Sequence, residues 1–338
     1  MTLESDPAPP PERPRRRWWQ WAVAIALSAL LLGGLIAWAD PAALGETLRG
    51  GDPGSLAAAT GFFVASCVCR WLRLPVLLEG APHHPPTLFA VSVGHQFFNQ
   101  LLPARTGELT FPLLLKRAQG TPLATGLLYL AVLRLVELAT LCPLYSVAAL
   151  LWLHEVGAPL PLGAVAGLAA VGVALLVGLP WLLPRSIGAG LSALGWLITR
   201  SPEGLGGRLQ KVHASLRAAR EAVDALPPRA ILKLTALAAL MWLSLFAMYH
   251  CATIAFAPEV SFAQCAVGSA GGILSNLLPI NGIGSLGTME AGWVAGFRAT
   301  GVRLDAAMAS GLAVHAIAIA TAGLLTGLGA LLWRDPAA

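Results

Sequence analysis

Phe98-Asn99-Gln100-Leu101-Leu102-Pro103-Ala104-Arg105-Thr106-Gly107-Glu108 interrupts an otherwise apolar stretch that runs from Pro86 to Gly120. Proline removes a backbone donor and glycine frees the chain to turn, so the stretch breaks rather than continuing as one helix. Both flanks are basic, with Arg70 and Arg73 before it and Lys116 and Arg117 after it. Basic loops mark the cytoplasmic side of a membrane protein, so this segment is expected to enter and leave by one face. That is the pattern of a re-entrant hairpin, whose broken backbone is buried in protein or lines a cavity.

Working outward, apolar runs of spanning length lie on both sides: Ser55 to Leu78, Leu123 to Leu153, Leu160 to Leu183, Ile231 to Phe256 and Asp305 to Trp333. Each reaches the ~18 residues that suffice to cross a bilayer. An earlier run, Trp18 to Ala39, reads either as a retained helix or as a signal peptide, since Ala37-Trp38-Ala39 resembles a cleavage site. Its length exceeds the ~7–15 apolar residues of a signal peptide, which favours the helix. Composition agrees with a membrane protein. Only 12% of the 338 residues are charged and 56% are hydrophobic, against roughly 25% charge in soluble chains. The 36 glycines and 25 prolines fall below the ~25–30% that marks low-complexity disorder.

The 22 basic and 17 acidic residues collect in short loops rather than in a basic stripe with interleaved aromatics, so no nucleic-acid partner is expected. Arg13, Arg15, Arg16 and Arg17 precede Trp18, Trp19 and Trp21, a basic anchor and aromatic belt that put the N-terminus in the cytoplasm. Residues 1–17 read as a disordered tail, and 18–334 as one membrane domain. The stretch from Pro184 to Pro228 is basic on balance and therefore cytoplasmic. Within it Leu205, Leu209, Val212, Leu216, Ala219, Val223 and Leu226 form one apolar stripe on a helix expected over 203–226. That stripe suits the inner membrane surface or a partner protein. Cys67, Cys69, Cys142, Cys251 and Cys265 sit in or beside apolar runs without zinc spacing, so they read as small apolar side chains. No metal or cofactor is expected.

A second broken stretch matches the first. Ser275-Asn276-Leu277-Leu278-Pro279 is followed by Asn281, by Gly282, Gly284 and Gly287, and then by Glu290. The asparagines stand four and three residues before their prolines. Counting crossings puts the ends of this stretch outside, opposite to the first. Two hairpins entering from opposite faces form an inverted repeat, over about 55–153 and 229–333, the plan of many transporters. The fold expected is therefore all-α, with about six spanning helices and two re-entrant hairpins. Gly282-Ile283-Gly284-Ser285-Leu286-Gly287 also fits the dinucleotide fingerprint, but no strand precedes it. What remains is a glycine turn ahead of a helix N-terminus, which favours an anion.

Buried charge narrows the site. Arg134 lies eleven residues into its helix, about 17 Å at 1.5 Å per residue and near the middle of a ~30 Å core. An Arg at that depth costs at least ~2.5 kcal/mol unless compensated. Glu137, three residues on, shares its face as a structural partner. Alternatively, Arg134 faces a polar cavity where Arg105 and Arg70 join it around an anionic head group. Glu108 and Glu290 follow the two turns, and either complement helix N-termini, pair with the arginines or carry a coupling proton. His95 and His315 are proton-relay candidates within apolar runs, or simply hydrogen-bonded side chains. The candidate substrate-binding residues are thus Arg70, Asn99, Arg105, Gly107, Glu108, Arg134, Glu137, Asn276, Asn281, Gly284, Gly287 and Glu290.

The run Asn99 to Glu108, the helix with Arg134 and Glu137, and Leu278-Pro279-Ile280-Asn281-Gly282-Ile283-Gly284 leading to Glu290 resemble the lysylphosphatidylglycerol synthase transmembrane, or flippase-like, family. The resemblance covers about Ser55 to Trp333. It implies an integral membrane protein of the bacterial or archaeal inner membrane, moving lipids between leaflets or working beside enzymes that modify head groups. By this resemblance Asn99, Pro103, Arg105, Gly107 and Glu108 form the first motif, and Pro279, Gly284, Gly287 and Glu290 the second. Many members carry Glu-Arg-x-x-Asp on the next helix, whereas Leu133 replaces the Glu here and Glu137 stands for the Asp. A basic residue often follows the Gly-Glu pair, where this chain has Thr110-Phe111-Pro112. The full synthase adds a soluble aminoacyl-transfer domain, for which the sequence has no room before Ala338, so translocation without transferase activity is expected.

The expectations are a lipid flippase with both termini cytoplasmic, taking an anionic or phosphate-bearing lipid as substrate. The alternative is a membrane scaffold for a separate lipid-modifying or glycosyl-transfer enzyme, docked on the stripe from Leu205 to Leu226. Homo-oligomerisation is compatible with either. An intramembrane hydrolase using Ser285 and His315 is disfavoured, because Ser285 lacks a Gly-x-Ser-x-Gly setting and the chain lacks His-Glu-x-x-His.

Overall fold

The computed structural model describes residues 41–78, 83–159, 227–277 and 283–333, together with residues 33–34 and scattered positions between 163 and 221. All regular structure among the described residues is helical, with no strand. In chain order the helices are α1 (Pro41–Arg49), α2 (Pro53–Leu77), α3 (Pro85–Leu101), α4 (Thr110–Gln119), α5 (Leu123–Glu155), α6 (Pro228–Ile254), α7 (Phe262–Leu277), α8 (Thr288–Ala299) and α9 (Leu304–Leu331). Two short 3-10 turns, Pro103–Leu109 and Ile283–Ser285, join α3 to α4 and precede α8; they are called the first and second tips. The tail over 1–17, nearly all of the run from Trp18 to Ala39, most of Leu160 to Leu183 and most of the stripe over 203–226 lie outside the described residues.

Among the described residues, four helices are long and apolar enough to cross a membrane: α2, α5, α6 and α9, with 25, 33, 27 and 28 residues. At 1.5 Å per residue the shortest reaches about 37 Å, more than the ~30 Å hydrocarbon core. Their outer faces carry exposed apolar side chains, with Leu151 of α5, Leu232 of α6, and Leu324 and Leu331 of α9 all more than 50% exposed. Such faces are unfavourable in water and suited to lipid. The protein is an integral membrane protein.

Local chemistry sets the helix ends. Asp52 caps α2 by accepting the Ser55 N–H at 2.7 Å, and Pro53 fills the first helical position. Hydrogen bonds from Ser55 hold the Asp52 carboxyl below the usual carboxylate range. Prolines likewise open α3 and α6. Gly120 ends α4 at φ 66°, the left-handed conformation that favours glycine.

Hydrogen bonds between helix ends fix the topology. At one end of the bundle the Thr47 hydroxyl reaches Asp305, the Asp52 N–H donates to the Ala255 carbonyl, Ser261 donates to Glu155, and Gln264 donates to the Thr300 carbonyl. At the other end Trp71 donates to the Pro85 carbonyl, and the Arg117 guanidinium lies over the Trp333 ring. α2 and α9 therefore run one way along the bundle and α5 and α6 the other, with α2 and α6 packed antiparallel. Helices α3 and α4 form a hairpin whose outer ends both lie at the Trp333 end. Helices α7 and α8 form another, whose outer ends lie at the opposite end. The two tips touch each other inside the bundle.

Packing within the second hairpin depends on missing side chains. A Cβ on Gly271 would lie 2.1 Å from the Gly292 carbonyl oxygen, and one on Gly296 would lie 2.1 Å from that of Gly268. Only glycine permits so close a backbone approach. Beside this contact Trp293 stacks on Phe297 and donates its indole N–H to Ser310 on α9. A second core, around Leu88, Val91, Phe111, Leu115, Val132 and Val136, joins the first hairpin to α5.

Candidate functional site

The first hairpin packs against α2 through α3 and against α5 through α4, and the charged residues of its tip and of those two helices form one connected line. Glu137 of α5 is the hub. Its Oε1 accepts from Arg73 Nη1 at 2.6 Å and lies 3.5 Å from Arg70 Nη1, while its Oε2 accepts from Arg134 Nη1 at 2.7 Å. The line continues outward, with Arg134 Nε 3.8 Å from Glu108 Oε1 and Glu108 Oε1 3.4 Å from Arg105 Nη2. Five charged residues named from sequence (Arg70, Arg105, Glu108, Arg134 and Glu137) thus form one connected array with Arg73. Side-chain exposure falls from 38% at Arg105 to 3% at Arg73, so the array runs from the tip into the interior.

Charge in the inner part does not balance. Three guanidiniums converge on one carboxylate, and the Nε atoms of Arg70, Arg73 and Arg134 are buried without a hydrogen-bond partner. A buried, unpaired donor forfeits its hydration without recompense, and a charged one forfeits more. Beside these donors is a small cavity lined by Arg70 and Arg73 of α2, Ser92, His95 and Gln96 of α3, and Arg134 and Glu137 of α5. It has room for a water-sized group. Leu74, Phe111, Leu130 and Leu133 complete its lining, and guanidinium groups of this kind match carboxylate and phosphate oxygens in charge and geometry.

Arg73 was not among the residues expected here. Read from sequence it marks the cytoplasmic end of its helix, whereas its side chain turns inward onto Glu137 and is 3% exposed. The available signal was its spacing, since Arg70 and Arg73 share a helix face at i, i+3. Ser92, three residues before His95 and four before Gln96, lines the cavity with both. Trp242 of α6 was also missed, and it donates its indole N–H to the Glu137 carbonyl at 3.2 Å.

The first tip is held by its backbone. A Cβ on Gly107 would lie 2.4 Å from both the Asn99 Cα and the Phe98 carbonyl oxygen, so only glycine lets the tip fold onto α3. The Thr110 hydroxyl donates to the Gly107 carbonyl, and its oxygen lies 3.2 Å from His95 Nδ1. With the Thr110 proton engaged, Nδ1 of His95 is the donor of that pair. Asn99 thus serves as part of the surface on which the tip rests.

The second tip gathers a separate group. Glu290 is buried at the start of α8, where its Oε2 accepts the Gly287 N–H at 2.7 Å and its Oε1 pairs with His315 Nδ1 of α9. Gly284 and Gly287 have φ of 65° and 85°, as the turn requires. Asn276 lies in the last turn of α7, and Asn281 lies outside the described residues. The sequence-named residues therefore divide into two sets: the arginine array on the first tip and the Glu290–His315 pair on the second. Each tip also holds one non-glycine residue in the left-handed region, Arg105 at φ 57° and Ser285 at φ 56°, each two residues before a glycine. No group of three or more metal-ligating side chains occurs among the described residues.

An apolar helical bundle around an inward-running, cation-rich array defines a polytopic membrane protein with charge in its interior. Residues 21–326 match the lysylphosphatidylglycerol synthase TM region family, and the chain belongs to that family. Membership carries a membrane lipid-related role. No curated protein matched the chain.

Proposed function

We propose that the protein is a flippase, a translocase that moves an anionic or phosphate-bearing lipid between leaflets by alternating access to the arginine array. The observation that carries this reading is the uncompensated cluster: three guanidiniums on one buried carboxylate, with three Nε donors left unpartnered. Holding such an excess of positive charge away from water is costly, and an anionic head group entering the site offsets that cost. A zwitterionic head group brings its own cation and offsets less. The acyl chains stay against the apolar outer faces while the head group crosses. The cavity admits only a water-sized group in this state, so head-group entry requires the hairpins to part.

The arrangement of the hairpins supports alternating access. Their outer ends lie at opposite ends of the bundle, their tips touch, and each tip bears a left-handed non-glycine residue followed by a glycine and a glutamate. Strained backbone of this kind costs about 1–3 kcal/mol per residue and gathers where function requires it. We read the two halves, about 55–153 and 229–333, as an inverted repeat of re-entrant hairpins within a six-helix domain spanning 18–334. Rocking of one half against the other would then expose the site to each face in turn. The same reading puts the protein in a prokaryotic inner membrane with both termini cytoplasmic, acting without a cofactor as a transporter rather than an enzyme.

The test is leaflet exchange in reconstituted vesicles. Arg105→Ala and Arg134→Ala are each expected to abolish flipping of a labelled anionic lipid while the protein stays folded. Unchanged flipping in both variants would remove the site.

A further inference from the structure

The two carboxylates of the array are held very differently. Glu137 is 8% exposed and accepts at 2.6 and 2.7 Å, both within the range of strong charge-assisted bonds. Glu108 is 28% exposed and stands 3.4 Å from Arg105 Nη2 and 3.8 Å from Arg134 Nε. The second separation is beyond hydrogen-bonding range, and Arg134 Nε has no hydrogen-bond partner. Glu108 therefore neutralises two guanidiniums by proximity while leaving donor capacity unused. The backbone below it is fixed, because Gly107 packs directly on Asn99 and its carbonyl accepts from Thr110. What is left to move is the Glu108 side chain.

We infer that Glu108 is an internal stand-in for the substrate: its carboxylate occupies the place of the head-group phosphate and is displaced from Arg105 and Arg134 when lipid binds. This rests on the anionic-lipid reading above and adds the means of release. A phosphodiester offers more acceptor oxygens than Glu108 uses here, and guanidinium forks bind such oxygens in pairs. The arriving phosphate takes the donors that Glu108 leaves open, and like-charge repulsion pushes the carboxylate outward. Its return expels the head group on the far side. Glu108 is thus a positioning residue that weakens binding and speeds release, whereas Glu137 stays paired throughout.

The experiment uses the full chain in detergent, titrated with fluorescently labelled phosphatidylglycerol, and the same protein in phosphatidylcholine vesicles for flipping. Removing a loosely held competing carboxylate is comparable to deleting one partly exposed ion pair, so Glu108→Gln is expected to tighten the anionic-lipid Kd roughly two- to fivefold. Turnover at saturating lipid should fall, and binding of labelled phosphatidylcholine should not change. A merely structural Glu108 would lower affinity and turnover together. Glu108→Ala gives the same comparison if the glutamine variant does not fold, with melting curves as the check. If Glu108→Gln binds the anionic lipid no more tightly than wild type while Arg134→Ala loses binding, displacement by substrate is overturned and the anionic-lipid site stands. If wild type and Arg134→Ala bind alike, the site itself fails and the inference goes with it.

Discussion

Glu137 bears the largest share of the buried charge, since three arginines from two helices meet on its two oxygens. Removing one partner of a buried ion pair typically costs about 3–5 kcal/mol, because the other charge is left uncompensated. Glu137→Gln is therefore expected to lower the unfolding midpoint in detergent sharply. Glu108→Gln at the more exposed end should change it little, and equal shifts for the two would contradict the distinction drawn between them. Most of this array was legible from sequence, because charge inside an apolar run is expensive and so informative at Arg134 and Glu137. Arg73 was not, because a basic residue near a helix end reads equally well as a topology signal. Only the tertiary contact with Glu137 of α5, 64 residues away in sequence, separates those meanings.

Among the elements, the two tips are the parts that depart from regular helix. Their existence was legible in Pro103 and Gly107, and in the glycines from Gly282 to Gly287. The left-handed backbone at Arg105 and Ser285 was not. Glycine and asparagine advertise that conformation, whereas an arginine or serine held there is imposed by the surrounding packing. The first tip is held by contact of Gly107 with the α3 backbone. Gly107→Ala should displace Glu108 and Arg105 together, and flipping is expected to fall at least as far as in Arg105→Ala. Gly61→Ala on α2 is the control, since a Cβ there meets nothing within 4 Å and helix propensity improves. If Gly107→Ala transported as well as Gly61→Ala, the tip would not be positioning the array.

At the scale of the whole molecule, the low charge content and the blocked apolar runs separate this chain from soluble proteins, and four long helices with lipid-suited faces follow from them. Family membership over residues 21–326 adds the lipid-related role. Substrate selectivity is written in neither, because hydropathy records only that a charge is buried. The pairing of that charge depends on helix packing across long sequence separations, as between Arg73 and Glu137. On the proposed function, an excess of buried positive charge selects and carries an anionic lipid. The most direct measurement is leaflet exchange of labelled phosphatidylglycerol and labelled phosphatidylcholine, side by side, in vesicles with and without the wild-type protein. The protein is expected to open the inner-leaflet pool of the anionic lipid to an outside quencher and to leave most of the zwitterionic pool protected. Exchange no faster than in protein-free vesicles, or equal exchange of both lipids, would contradict it.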